Sequence, residues 1–114
     1  MTKEEILEKY GIPPDVLEEY HQWDLCEEVK RVMGAWQYDD TDLDRLSLIL
    51  TLHDLGFDRE EIERYMRLYL AGAETERERL SIIEKKRKAT LGEIHLKEKQ
   101  LERMDYLRGK LRKG

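Results

Sequence analysis

Three histidines, one cysteine and many carboxylates are the residues of this chain with the means to do chemistry. His21, His53 and His95 stand far apart. None forms a His-Glu-x-x-His pair or another metal-ligating spacing on one helical face. They read as solvent-facing or hydrogen-bonded histidines. Glu93, His95 and Glu98 lie close together, as a helix this charged would place them by chance. Cys26 is the only cysteine, too few for an internal disulfide or a cysteine cage. A redox role needs a depressed thiol pKa, and Glu27 and Glu28 push the other way. The serines are Ser47 and Ser81 only, with no nucleophile elbow, phosphate loop or glycine-rich fingerprint around them. The expectation is no enzyme, no metal and no cofactor.

The charges carry more information. Residues 1–75 hold 8 Lys+Arg and 19 Asp+Glu, a net of −11. Residues 76–114 hold 13 and 7, a net of +6. An acidic head is thus joined to a basic tail, which reports either a partner surface or a solvated face. The run Lys85-Lys86-Arg87-Lys88 fits acidic partners, the acidic head of another copy, or plain solvation.

These residues need elements to position them. Hydrophobic residues make up 39% and charged residues 41% of the 114-residue chain, too polar for one compact globule. A small core with a solvated helical extension fits better. No apolar run reaches the roughly 20 residues that span a bilayer, and Met1 to Tyr10 lacks a signal-peptide core. A cytoplasmic protein is expected.

Thr2 and Glu5 form a capping box that predicts a first helix from about Lys3 to Tyr10. Gly11 ends it, and Pro13-Pro14 opens a second helix reaching about Trp23. Two short helices across a tight glycine-containing turn read as helix-turn-helix. Residues 25–38 break the helical period. Leu25, Val29, Val32, Trp36 and Tyr38 favour strand, and Met33-Gly34 sits between two runs, which predicts a β-hairpin wing. Asp39, Asp40 and Thr41 offer caps for a third helix carrying Leu43, Leu46, Ile49, Leu50, Leu52 and Leu55. Gly56 closes it. Asp58 and Glu61 cap a fourth helix through Ile62, Tyr65, Met66 and Tyr69, stopped near Gly72. Trp23 and Trp36 either close the small core, or Trp36 stands in an exposed protein-binding patch.

Thr75 and Glu78 open the last helix, from Glu76 to about Lys113. Residues spaced alternately by three and four form a seam on which Leu80, Ile83, Ile94, Leu101, Met104 and Leu111 are apolar. Arg87, Thr90, Lys97 and Arg108 interrupt it. With too little chain left to cover this stripe, a second copy is the expected partner. The expected domains are a head over residues 1–72 and a dimerisation helix over residues 73–114. The chain ends on that helix, so no separate effector domain is expected.

In this order the elements resemble the MerR family of bacterial regulators over about residues 6–112. Gly11-Ile12-Pro13 stands where the family opens its second helix, and Leu17-Glu18-Glu19-Tyr20-His21 follows in the place of Leu-Arg-Tyr-Tyr-Glu. Gly34-Ala35-Trp36-Gln37-Tyr38 stands at the family's wing end. Tyr38, Asp42, Leu43, Leu46, Leu55-Gly56-Phe57 and Glu60-Glu61-Ile62 keep the family spacing without gaps. The resemblance implies a mainly α fold: a winged helix-turn-helix head and an antiparallel coiled-coil dimer helix. It also implies transcriptional regulation by a homodimer on double-stranded DNA.

The departures bear on mechanism. The family arginines of the second helix and the last wing strand correspond to Glu18 and Trp36. Lys30 and Arg31 keep basic character in the first wing strand. Tyr20 and Tyr38 are further candidates for backbone contacts, as is Lys3, while Glu18 is a candidate acceptor from cytosine N4. Glu18 and Glu19, read as one exposed acidic face, would repel phosphates. An acidic head works against the counterion release that drives non-specific affinity. The alternative is a helix-turn-helix fold repurposed for protein interaction through the acidic second helix and Trp36. The family's metal sensors use cysteines beside and beyond the dimer helix, and this chain has none there.

Overall fold

The computed structural model of the protein describes residues 1–25, 31–32 and 35–113. They form two compact units, Met1–Thr75 and the segment from Glu76 onward. The architecture is mainly α, with one small hairpin.

Helix α1 spans Lys3–Glu8, shorter than the sequence suggests. The Thr2 hydroxyl accepts from the Glu5 amide at 3.2 Å, as a capping residue should. Gly11, at φ +66°, then turns the chain, and the Ile12 amide donates to the Ile6 carbonyl at 3.3 Å. That turn takes Lys9 and Tyr10 out of the helix. Helix α2 spans Pro14–Gln22 and starts on a proline, whose missing N–H would have had no partner in the first turn. Asp24 ends the segment in the left-handed region at φ +53°, and Leu25 folds back to donate to the Tyr20 carbonyl at 3.3 Å.

Strands β1 (Arg31–Val32) and β2 (Ala35–Trp36) pair antiparallel, Arg31 opposite Trp36 and Val32 opposite Ala35. The hairpin is present over these described residues. Leu25 belongs to the core under the end of α2, not to a strand. Val29 and Met33-Gly34 lie outside the described residues. After β2, the backbone of Tyr38 exchanges two hydrogen bonds with Met1, at 2.6 and 2.7 Å. This pairing ties the end of the wing to the start of the chain.

Helices α3 (Asp40–Asp54) and α4 (Arg59–Ala71) open on capping boxes, Asp39 with Asp42 and Asp58 with Glu61. Leu46, Ile49 and Leu52 of α3 pack inward with Ile62 and Met66 of α4. Leu43 and Leu50 are half-buried. Leu55 is exposed, because it caps α3 where the chain leaves the core and Phe57 fills that place instead. The rest of the core comes from Ile6, Ile12, Val16, Leu17, Tyr20 and Trp23. A short 3₁₀ turn, Ala73–Thr75, follows Gly72. The Thr75 hydroxyl lies within hydrogen-bond distance of the carbonyls of Leu68 and Gly72, at 2.5 and 2.9 Å.

The second unit is one helix, α5, spanning Glu76–Lys113. Its 38 residues make it about 57 Å long. None of them is buried. No described helix is long and apolar enough to cross a membrane.

Candidate nucleic-acid interface

Helix α2 sorts its residues by the helical period. Val16, Leu17, Glu19, Tyr20 and Trp23 face inward, whereas Asp15, Glu18 and Gln22 face out. The positions 16, 19, 20 and 23 follow i, i+3, i+4, i+7, the stripe that a helix buries. Glu18 is therefore presented outward as expected. Glu19 is not. It is 8% exposed, and its carboxylate lies 2.7 Å from His53 Nε2 and 3.8 Å from Arg59 Nε. Arg59 also donates to Gln22 Oε1 and lies over the Trp23 ring, 5.7 Å from its centroid. The expectation of a two-glutamate exposed face is corrected to one glutamate. The other pins α2 to α3 and α4.

Tyr20 is corrected as well. Its side chain is fully buried and its hydroxyl donates to Asp42 Oδ1 at 2.5 Å. Burial, reinforced by the Asp42 carboxylate, raises the phenol far above its ordinary value. Asp42 uses its other oxygen to accept from the Asp39 amide at 3.0 Å. Backbone donation from Asp42 holds the Asp39 carboxyl below the usual carboxylate range. Tyr20 thus couples α2 to the cap of α3.

Tyr38 is 3% exposed and its hydroxyl lies 2.6 Å from His21 Nε2. A free tyrosine hydroxyl for backbone contact is not what the fold provides there. Trp36, by contrast, is 37% exposed and its ring centroid is 5.0 Å from that of His21. Of the two tryptophans, Trp23 belongs to the core and Trp36 to the surface. Lys3, Pro14, Leu17, Glu18, His21, Trp36 and Tyr38 line a groove of about 320 Å³. Burial holds the His21 imidazole below its ordinary value; the Asp42 charge opposes this and Lys3 adds to it.

A second groove of about 250 Å³ runs along the other side of α2, lined by Asp15, Glu18, Glu19, Gln22 and Arg59. Arg45 donates to the Leu25 carbonyl at 3.0 Å and Arg67 to the Trp23 carbonyl at 3.4 Å. Three of the head's arginines, Arg45, Arg59 and Arg67, thus hold α2 and its exit in place. Lys30 lies outside the described residues, and Arg31 is described by its backbone pairing with Trp36. Among the described residues, no three His, Cys, Asp or Glu side chains gather as a metal site.

On α5, Leu80, Ile94, Leu101, Met104 and Leu111 are exposed, Leu111 by 82%. Ile83 is half-buried.

The helix-turn-helix, the hairpin and the long helix now stand in one order. Residues 1–69 match the model of the MerR HTH family regulatory protein. The chain belongs to the MerR family. A crystal structure of HiNmlR, a MerR family regulator lacking the sensor domain and bound to promoter DNA, is 30% identical with a TM-score of 0.68. The match covers 92% of this chain and 84% of that one. A Listeria monocytogenes protein assigned to the MerR family of transcriptional regulators is 22% identical with a TM-score of 0.72. It covers 93% of this chain and 81% of that one, and shows the shared fold. No curated protein matches the chain. Within the MerR fold, the His53–Glu19–Arg59 cluster is what sequence reasoning missed. The signal was present: Glu19 falls on the buried stripe between Val16 and Tyr20.

Proposed function

We propose that this MerR-family regulator binds double-stranded DNA as a homodimer. One observation carries the reading: HiNmlR, 30% identical over 92% of this chain, was solved on promoter DNA. In this reading α2 enters the major groove and the hairpin grips flanking phosphates. Lys3, Lys30 and Arg31 supply the backbone contacts. Glu18, the outward carboxylate of α2, accepts from cytosine N4. Tyr20 and Tyr38 serve as internal supports for α2 and the wing. The two copies pair along antiparallel α5 helices through Leu80, Ile83, Ile94, Leu101, Met104 and Leu111, which buries a stripe otherwise left in water.

The test is a titration of the protein into labelled mixed-sequence duplex at several salt concentrations. Binding that weakens with salt supports the reading; no binding, or binding indifferent to salt, removes it. Light scattering at micromolar concentration tests the dimer, and a monomeric mass removes that part.

A second reading has its own support. Exposed Trp36 sits in one groove with Glu18, where a basic grip would serve DNA better. An aromatic residue beside a carboxylate suits a protein partner. Glu18→Arg separates the two: in the DNA reading it raises salt-dependent affinity for mixed-sequence duplex, whatever base contact it removes, and in the protein reading it leaves duplex binding absent.

A further inference from the structure

Helix α5 carries its charge on one face. At 100° per residue, positions 77, 81, 85, 88, 92, 95, 99, 103, 106, 110 and 113 fall in a single line, each step three or four residues. Arg77, Lys85, Lys88 and Lys99 occupy the first part of this line. Arg103, Lys110 and Lys113 continue it. Ser81, Gly92, His95 and Tyr106 fill the places between, and the line holds no carboxylate. The other residues of α5 carry six cations and seven anions. The positive excess of the helix is therefore a property of this stripe and not of the helix as a whole.

All eleven positions are exposed. Among the described residues, none of the seven cations is in an ion pair with a carboxylate. Lys110 instead lies over Tyr106, 4.8 Å from the ring centroid. A face shaped by solvation alone would alternate signs, because i,i+4 pairs of opposite charge steady an exposed helix. Here Lys85 and Lys88, Lys99 and Arg103, and Lys110 and Lys113 place like charges one turn apart, against helix stability. The apolar residues Ile83, Ile94 and Leu101 lie about 150° around the helix. Pairing through them leaves the stripe pointing outward.

We propose that this stripe is a second DNA-binding surface, taking the sugar–phosphate backbone of a duplex without regard to sequence. Its length selects the occupant. Arg77 to Lys113 spans about 54 Å, the length of about 16 base pairs. A compact head of some 75 residues is only about 30 Å across and leaves much of the stripe unmet. A membrane surface would need large apolar side chains on the same face, and Tyr106 is the one such residue there. A basic stripe along one helix, with an aromatic ring among the cations, is the electrostatic footprint of nucleic acid. The inference stands on α5 and not on the role given to the head.

The experiment is fluorescence anisotropy with a labelled 20-base-pair mixed-sequence duplex, over a range of salt concentrations. Lys85→Gln, Lys88→Gln and Lys99→Gln are combined in one full-length variant. A control removes the same charge off the stripe, with Arg79→Gln, Lys86→Gln and Arg112→Gln. Circular dichroism checks that both retain the helix. The stripe variant is expected to lower the slope of log affinity against log salt by about 3, at about 0.9 per lost phosphate contact, while the control keeps the wild-type slope. Equal weakening in both variants, or a stripe variant that binds as wild type does, overturns the proposal. So does wild-type protein that fails to bind duplex. A stripe variant that keeps duplex binding but loses self-association by light scattering overturns it in favour of a second copy's acidic head. Arg31→Gln distinguishes the head: a slope sensitive to that change and not to the stripe leaves the head as the contact and removes this inference.

Discussion

Glu18 and Glu19 are neighbours with opposite roles, and the helical period is the reason. Glu18 faces water, whereas Glu19 is buried between His53 and Arg59. Glu18→Arg is expected to leave the urea midpoint within about 0.5 kcal/mol of wild type, as for an ordinary surface change. Glu19→Ala strips His53 and Arg59 of their shared acceptor and is expected to cost about 1–3 kcal/mol in the same measurement. His21 carries a pH dependence. Its folded value is depressed, chiefly by burial, with Lys3 in the same sense and Asp42 opposed; Tyr38 is its hydrogen-bond partner. The unfolded chain therefore binds the proton more readily. Its contribution to stability is present above about pH 6.5 and is lost as pH falls through the depressed value. Melting temperatures from pH 8 to 5 should fall on the acid side, and His21→Phe should flatten that limb. An unchanged limb in the variant would assign the acid sensitivity to other groups.

The elements are set mostly by their ends. Asp39 and Asp58 each close a capping box, and Asp39→Ala or Asp58→Ala should cost about 1 kcal/mol in urea unfolding. The Asp39 variant should cost more, since the Asp42 carboxylate that answers its amide also receives the buried Tyr20 hydroxyl. Both caps are legible in the sequence because a cap depends on residues three apart. The wing is less legible. Leu25 favours a strand in isolation, but the left-handed turn at Asp24 folds it under α2. In α5, Gly92 lies in the helix interior with open space where a Cβ would go. Gly92→Ala is expected to stabilise that helix by about 0.5–1 kcal/mol, read from the thermal loss of helical ellipticity.

At the scale of the whole molecule, an acidic head and a basic helix share one chain. On the apolar stripe of α5, Leu80, Ile94, Leu101, Met104 and Leu111 are exposed and Ile83 is half-buried. If two copies cover it, Leu101→Glu with Met104→Glu should convert the dimer to a monomer by light scattering and speed proteolysis of α5. The head should keep its own unfolding transition, because its core is formed within residues 1–75. A variant that remains dimeric would move the interface elsewhere.

A resemblance pointed to the family, and the sequence by itself determined the order of the elements, their caps and the acidic–basic division. Each of these follows from composition or from spacings of a few residues, which local physics reads directly. The tertiary structure decided which polar side chains are spent inside. Tyr20 meets Asp42 across 22 residues, Glu19 meets His53 across 34, and Arg67 reaches the Trp23 carbonyl across 44. Such contacts depend on how α2, α3 and α4 pack, and no short-range spacing specifies that. They place Tyr20 and Glu19 inside, and among the described residues of the wing and α2 they leave Glu18 and Trp36 exposed.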